Sequence, residues 1–324
     1  MNPAAAPLLL TDADVAACLP MPAAIETIRS ALTERVAGSA TSLERRAIAV
    51  GDGRLVMTPG GYEGLGAVGL RLYAAGYPSD TQLTAAWDTN SGELLGLIFG
   101  DSLGVTRTAA IGGVAYDVLA PKHVRKAAVI GTGAHGKAQL TALLCVRSVE
   151  SVSIFQRRAD VCEVTAHAWT QEFGLAISAA ASAKACVADA DVVVLATTSR
   201  EPVVAADQLP PSCHISSLGP KYLGRTELDA KIADGTQCIA CDFPEQYAAE
   251  PQFILHDTPA MERVRDLAAL HAEGFARNDD ARTLFLSHGL AGTEVACAAA
   301  AIARARELGL GYTVPGSSTE GSSA

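Results

Sequence analysis

Gly131, Gly133 and Gly136 stand at the spacing G-x-G-x-x-G, directly after the apolar run Lys126-Ala127-Ala128-Val129-Ile130. An amphipathic stretch from Lys137 to Val146 follows, and then a second short apolar run, Ser151-Val152-Ser153-Ile154-Phe155. Strand, glycine turn, helix, strand is the order in which this spacing binds the pyrophosphate of a dinucleotide. Each glycine has its own expected task. Gly131 makes the tight turn, Gly133 lets the backbone approach the phosphates, and Gly136 lets the helix pack closely on the strand. The anion then sits on the helix N-terminus, where free N–H groups and the helix dipole favour negative charge.

The residues closing the second strand select the cofactor. A site for NAD usually carries Asp or Glu there, about 20 residues past the motif, to bond the ribose 2′-hydroxyl. This chain has Gln156-Arg157-Arg158 instead. A guanidinium grips a 2′-phosphate through two parallel charge-assisted bonds. Arg157 and Arg158 therefore point to NADPH, with NADH as the second choice.

Such a grip needs a doubly wound α/β domain around it. At 324 residues the chain is long enough for two domains with adequate cores. A helix from Thr11 to Leu19 is expected first. A longer one begins with Pro22, carries Ile25, Ile28, Leu32 and Val36 on one face, and stops at Gly38. Strand-like runs at 44–50, 54–58, 67–74, 82–88 and 94–99 follow, with turns at Gly51-Asp52-Gly53 and Asp88 to Gly92. This part reads as antiparallel. A helix from Thr106 to Leu119, ended by Pro121, leads into the nucleotide domain. There the α/β alternation continues, with strand-like runs at 191–197, 213–218 and 237–241. An Ala-rich helix from Leu290 to Leu308 comes last, and the Ser/Gly-rich tail from Gly311 is expected to be loose. Too little chain follows that helix for a third unit, so it should return to the first. The expected fold class is α/β: a Rossmann dinucleotide-binding domain over 120–289, plus a discontinuous α+β domain over 1–119 and 290–324 for substrate and dimerisation.

Composition narrows the partners. A net charge of −10 with no basic stripe argues against nucleic acid. No apolar run approaches the roughly 20 residues of a membrane span. Leu8-Leu9-Leu10 has no positively charged region before it, which argues against a signal peptide and for the cytoplasm. The eight cysteines are scattered and are expected to be buried free thiols. Cys238 and Cys241 are spaced C-x-x-C, but in a strand-like run they point to opposite faces, so no metal site is expected.

Arg107-Thr108-Ala109-Ala110, shortly before the glycine motif, resembles the R-T-A-A signature of the ornithine cyclodeaminase/mu-crystallin family. Met57-Thr58-Pro59 stands near the family's M-P, and Asp88 to Gly92 resembles its D-x-x-T-G turn. Ala190 to Thr197, Ile215 to Gly219, and Glu227-Leu228-Asp229 resemble its later nucleotide-domain segments. Ser287-His288-Gly289-Leu290-Ala291 resembles its S-x-G-x-A. The resemblance spans nearly the whole chain in the family's order. It implies a homodimer in which a Rossmann domain brings a nicotinamide to an interdomain cleft. The implied chemistry is hydride transfer between that nicotinamide and the α-carbon of an amino or imino acid. Thr108, Thr197, Leu218 and Gly219 join the glycines as implied cofactor-binding residues.

A substrate α-carboxylate needs cations, preferably arginines. Arg107 matches the signature arginine; a second is expected before Met57, either Arg45 or Arg46, and Arg46 is preferred. Two departures from the family matter. Many members carry a lysine in the strand after M-P, where this chain has Arg71, which can bind a carboxylate but cannot serve as a base. Cyclodeaminases also carry an aspartate two residues after the glycine of V-G, where this chain has Lys221. Losing both groups weakens cyclodeamination and leaves imine reduction, which asks for less. Lys221 and His288 are the candidate proton donors. The leading expectation is an NADPH-dependent reductase of a small α-imino acid. Ornithine cyclodeaminase and a non-catalytic mu-crystallin-like protein, holding NADPH and a small carboxylate, are the alternatives.

The cofactor expectation has a direct measurement. NADPH should bind at least about tenfold tighter than NADH, near 1.4 kcal/mol. Arg157→Ala should erase that preference in a titration of both dinucleotides, and equal affinity in the unmutated protein rules the preference out.

Overall fold

A computed structural model describes residues 6–77 and 81–314. The chain divides into two units, Met1–Arg107 with Ala291–Ala324, and Thr108–Leu290.

In chain order the first unit holds β1 (Leu8–Leu10), α1 (Asp12–Cys18), α2 (Met21–Ala37) and β2 (Ala40–Ser42). It continues through β3 (Arg46–Val50), β4 (Gly53–Tyr62), β5 (Ala67–Ala75), β6 (Gln82–Asp88) and β7 (Leu94–Phe99). Thr11 starts α1 with a capping box: its hydroxyl accepts from Asp14 N, while the Asp14 carboxylate accepts from Thr11 N at 2.9 Å. Pro22 lies in the first turn of α2, and Gly38 ends it in the left-handed conformation. Ile25, Ile28 and Leu32 are buried as expected, but Val36, in the last turn, is half exposed and leaves the packed face.

The sheet of this unit runs β1-β7-β6-β5-β4-β2, with β3 also on β4. Every pair is antiparallel except β1 with β7. Alternation along β4 separates two faces. Val56, Thr58, Gly60 and Tyr62 are buried, whereas Leu55 and the odd-numbered residues after it are partly or wholly exposed. The register carries this parity across the sheet. Arg71 on β5 pairs with Thr58 and Thr84 on the buried face, while Ile48 pairs with Leu55 and Arg46 with Met57 on the open one.

α3 (Ser102–Leu119) begins four residues before the expected start and crosses from one unit to the other. The expected boundary at 119 therefore differs from the observed division after Arg107. The second half of α3 is tied to the glycine-turn helix by a buried glutamine: Tyr116 Oη donates to Gln139 Oε1 at 2.6 Å, and Gln139 Nε2 donates to Thr108 O at 3.2 Å.

The second unit continues with β8 (His123–Ile130), α4 (Ala134–Val146), β9 (Ser148–Phe155), α5 (Ala159–Phe173), β10 (Ala176–Ala179) and α6 (Ala183–Val187). β11 (Val192–Leu195), β12 (His214–Ser217), β13 (Lys221–Tyr222) and β14 (Arg225–Thr226) follow. β15 (Thr236–Cys241), α7 (Pro244–Ala248), β16 (Val264–Asp266), α8 (Leu267–Glu273) and β17 (Arg282–Leu286) complete it. The main sheet is parallel throughout, in the order β10-β9-β8-β11-β12-β17-β15-β16. Its central strands are buried on both faces, which is why they read as unbroken apolar runs. Chain order reverses at β8: β9 lies on one side and β11 on the other. Ligands of open parallel sheets bind at such a switch point, outside the carboxyl ends of the strands.

α9 (Thr293–Leu308) returns to the first unit and packs between β4–β7 of its sheet and helices α1 and α2, with Ala296, Ala298, Ala301 and Ile302 buried. β18 (Tyr312–Thr313) pairs antiparallel with β1, and Val314 N donates to Pro7 O at 2.8 Å. The start of the tail expected to be loose is thus an edge strand; residues after 314 lie outside the described residues. All eight cysteines are free, and Cys145, expected to be buried, is exposed on α4. No helix among the described residues is long and apolar enough to cross a membrane.

Candidate active site

The dinucleotide motif folds as its spacing requires. Gly131 has φ +98°, and a Cβ on it would lie 2.2 Å from Ala196 O. A Cβ on Gly136 would lie 1.9 Å from Gly131 O, so only glycine lets α4 approach the turn. Gly133 is the N-cap of α4, and a Cβ there would meet nothing within 4 Å. It borders a cleft of about 380 Å³ lined by Gly131, Gly133, Gln156, Arg157, Arg158 and Thr197, among others. Arg157 and Arg158 are exposed at its edge, and the buried Gln156 Nε2 has no hydrogen-bond partner among the described residues. These features fit a dinucleotide: open space over a helix N-terminus, cations at the cleft edge, and a donor awaiting an acceptor.

The remaining residues of this unit stand at neighbouring strand ends. Thr197 follows β11, Leu218 and Gly219 follow β12, and His288 follows β17. Thr108 sits half-buried in α3 with its carbonyl on Gln139. Lys221 is only 3 % exposed; its Nζ donates to Ser217 O at 3.2 Å and Gly219 O at 2.6 Å. Its ammonium is thus engaged by the turn itself. The His288 ring packs edge-on against Tyr247, with Nε2 3.5 Å from Glu250 Oε1. Burial pushes the Glu250 carboxyl up, yet His288 and Gln246 outweigh it and hold the group down to about 2. Asp242, fully buried after β15, accepts from His288 N and Gly289 N at 2.8 Å each and fixes this turn.

In the first unit the arginines gather around Glu294, a residue sequence reasoning did not assign. Its carboxylate is 0 % exposed in the first turn of α9, where the helix dipole favours an anion. Glu294 Oε1 lies 3.0 Å from Arg71 Nη1 and 2.8 Å from Arg107 Nη2. Arg71 is otherwise occupied: Nε donates to Gln82 Oε1 at 3.2 Å, Nη2 reaches the same oxygen, and the guanidinium lies over the Tyr73 ring. Arg107 is different. Its Nε and Nη1 are buried without a hydrogen-bond partner among the described residues, as are Thr58 Oγ1 and Glu294 Oε2. Buried guanidinium donors of this kind have the chemistry to receive a carboxylate.

Arg46, the preferred second arginine, is not part of this cluster. Its side chain is 73 % exposed and 3.7 Å from Glu44. The register places it beside Met57 on the open face, whereas Arg71 and Thr58 occupy the other. Arg45, one residue earlier and of opposite parity, is half-buried, and its charge acts on Glu294. An acid in the first turn of an Ala-rich helix was the available signal for Glu294, but pairing it with Arg71 and Arg107 required the fold.

The Glu294 carboxyl has a stability consequence. Burial pushes its pKa up, but Arg107 and Arg71 outweigh burial and hold it below its ordinary value. A lowered native pKa contributes stability that is complete above the ordinary carboxylate range and is lost as pH falls through the native value. Glu294→Gln should cost about 3–5 kcal/mol at neutral pH by stranding two buried cations. The variant should also lose part of the parent's acid-induced destabilisation, read from urea unfolding at a series of pH values.

The family model described as "Ornithine cyclodeaminase/mu-crystallin family" matches residues 6–308. The chain is 26 % identical over 275 residues to a Delta(1)-pyrroline-2-carboxylate reductase of Bacillus cereus, covering 80 % of this chain and 84 % of that one. The solved Delta(1)-pyrroline-2-carboxylate reductase of Thermococcus litoralis, in complex with NADH and L-proline, superposes with a TM-score of 0.85 at 27 % identity. That likeness covers 95 % of this chain and 100 % of the other. The iminosuccinate reductase of Paracoccus denitrificans, in complex with NAD+, has the same fold: TM-score 0.86, 22 % identity, 96 % and 99 % covered. With nearly its whole described length matched, the chain belongs to the ornithine cyclodeaminase/mu-crystallin family.

Proposed function

We propose that this protein is an NADPH-dependent reductase of a small α-imino acid. The observation that carries the substrate class is Arg107, a buried guanidinium with two donor nitrogens awaiting an acceptor. Family membership and the likeness to pyrroline-2-carboxylate reductases support an oxidoreductase acting on C=N groups. NADPH rather than NADH is favoured by Arg157 and Arg158 at the cleft edge, although the solved relatives hold NADH or NAD+.

A C=N is electrophilic once its nitrogen is protonated, so the protein has three tasks: hold the carboxylate, exclude water, and supply that proton to nitrogen. When bound, the reduced nicotinamide supplies the hydride to the α-carbon. Arg107 takes the substrate carboxylate, with Arg45 as the second cation and Glu294 keeping the guanidinium in place. Arg71, with each of its three nitrogens on Gln82 or Glu294, is proposed to shape the site rather than take the carboxylate. His288 is the proposed proton donor, with Glu250 beside it as a counter-charge for the imidazolium. Cyclodeamination is disfavoured because Arg71 and Lys221 stand where that chemistry uses a lysine and an aspartate. A cytoplasmic location is in keeping with eight unpaired cysteines.

The open face of the first sheet supports a homodimer. Ile48, Leu55 and Val68 are exposed there, an apolar surface that suits a second copy of the chain. Ile48→Asp should shift the protein to monomer in sedimentation, and an unchanged dimer moves the interface elsewhere.

The function itself is tested with pure protein. Pyrroline-2-carboxylate or piperideine-2-carboxylate should drive NADPH oxidation, while ornithine with NAD⁺ should release no ammonia at catalytic rates. Arg107→Ala should lower kcat/KM by at least about a hundredfold, near 2.7 kcal/mol, with the fold intact. Steady proline formation from ornithine overturns the reading. Silence on every imino acid, with NADPH still bound, favours a mu-crystallin-like binding protein.

A further inference from the structure

Glu227 is fully buried, yet among the described residues it makes no ion pair within 4.0 Å; its hydrogen-bond partners are all dipoles. Oε2 accepts from Thr197 N and Thr197 Oγ1, each at 2.8 Å. Oε1 accepts from Ser217 Oγ at 2.9 Å and Gly219 N at 2.6 Å. The four donors belong to two segments, one leaving β11 and the other leaving β12. Those strands are adjacent and in register, Leu195 opposite Ser217. One carboxylate therefore ties two neighbouring strand ends together.

Lys221 holds the second segment by its other pole. Its Nζ donates to Ser217 O and Gly219 O, the carbonyls of the same two residues whose hydroxyl and N–H point at Glu227. The space between the strand ends is closed to side chains: a Cβ on Gly219 would lie 2.3 Å from Thr197 O and 2.5 Å from the Glu227 carboxylate. The turn thus has an anion fixing its donors and a cation fixing its carbonyls. Burial lowers the Lys221 pKa, while Glu227 and Asp242 oppose that shift and favour the ammonium.

The location gives the clamp a purpose. The glycine turn follows β8, and Gln156-Arg157-Arg158 follow β9 on one side of it. A dinucleotide with its pyrophosphate on that turn and its 2′-phosphate at Arg157 extends its nicotinamide half the opposite way, over β11 and β12. We propose that Glu227 and Lys221 are positioning residues that clamp the 217–221 turn by its opposite poles and fix the backbone on which the nicotinamide rests. The inference rests on the dinucleotide-dependent reading above. It also gives Lys221 a different role from proton donor, at a position where the family's cyclodeaminases carry a reacting aspartate.

A neutral side chain cannot reproduce the clamp. The amide oxygen of a glutamine accepts about two hydrogen bonds, and its NH₂ would face backbone N–H groups that need an acceptor. Glu227→Gln and Lys221→Met are the two variants, each compared with the parent by NADPH titration, bound-nicotinamide fluorescence and turnover. Because the pyrophosphate and 2′-phosphate grips are untouched, the Kd for NADPH should stay within about threefold of the parent. The emission and anisotropy of bound nicotinamide should fall toward those of free NADPH. Turnover should show a split, with kcat down at least about tenfold and the imino-acid KM within about threefold.

Parent-like emission and kcat in either folded variant overturns the proposal. So does a loss of NADPH affinity as large as the loss of kcat, which marks general support of the cleft rather than placement of one ring. If Glu227→Gln does not fold, Lys221→Met decides alone. Should the parent reduce no imino acid, the reductase reading fails, while the fluorescence comparison still decides the clamp.

Discussion

Burying a guanidinium without a counter-charge costs several kcal/mol, and the first unit buries Arg107 and much of Arg71. Glu294 is the counter-charge for both, and its placement constrains everything around it. It can reach them only from the first turn of α9, so the last helix must lie across the inner face of the first sheet. The small side chains of that helix permit the close approach. Glu294 also leaves the charge unbalanced. Every Arg71 nitrogen has a partner, whereas Arg107 keeps two buried nitrogens without one among the described residues. A guanidinium held this way is pre-organised, since its position is fixed before any further partner arrives.

The second unit solves a different problem, since a dinucleotide must be held along its length by groups that do not react with it. Parallel strands supply the answer because their carboxyl ends line up. The segments after β9, β8, β11, β12 and β17 follow one another along a single edge. Backbone groups at that edge make good ligands only if they cannot relax into bonds with one another. Buried side-chain charges and amides hold them apart: Glu227 and Lys221 at the 217–221 turn, Asp242 at His288, and Gln139 at α3. Buried polar groups repay their desolvation only when satisfied, and these are.

What could be read from the residues follows from how local each signal is. The glycine turn, its flanking strands and Gln156-Arg157-Arg158 are contiguous, and each task depends on backbone a few residues away. Parity of a single strand was harder. Arg45 and Arg46 differ by one position, and a shift of one residue exchanges the faces of a sheet. Only the pairing of Arg46 with Met57 and of Arg71 with Thr58 separates them. Glu294 and Glu227 were invisible as site residues for another reason. Glu294 acts across most of the chain and Glu227 across two strand ends, on partners that propensity and periodicity cannot name, and a carboxylate in a sequence looks like a solvated one. Lys221 was visible, but its burial and the bonds of its Nζ to the Ser217 and Gly219 carbonyls were not.

The two replacements relative to the cyclodeaminase pattern then read as one change in charge logic. A lysine in the strand after M-P can lose its proton; Arg71 cannot, and its planar donors are spread over Gln82 and Glu294. An aspartate in the turn after β12 would present a second anion beside Glu227, and like charges sharing a buried site push one of them to hold a proton. That proton is useful where an amine must be activated and ammonia expelled. Lys221 removes the repulsion instead, because its ammonium bonds the same turn whose donors Glu227 accepts. The turn loses a group able to exchange protons with a substrate and gains rigidity. Imine reduction can accept that trade, since one protonation makes the C=N electrophilic and the remaining demand is for a carboxylate grip and a fixed ring.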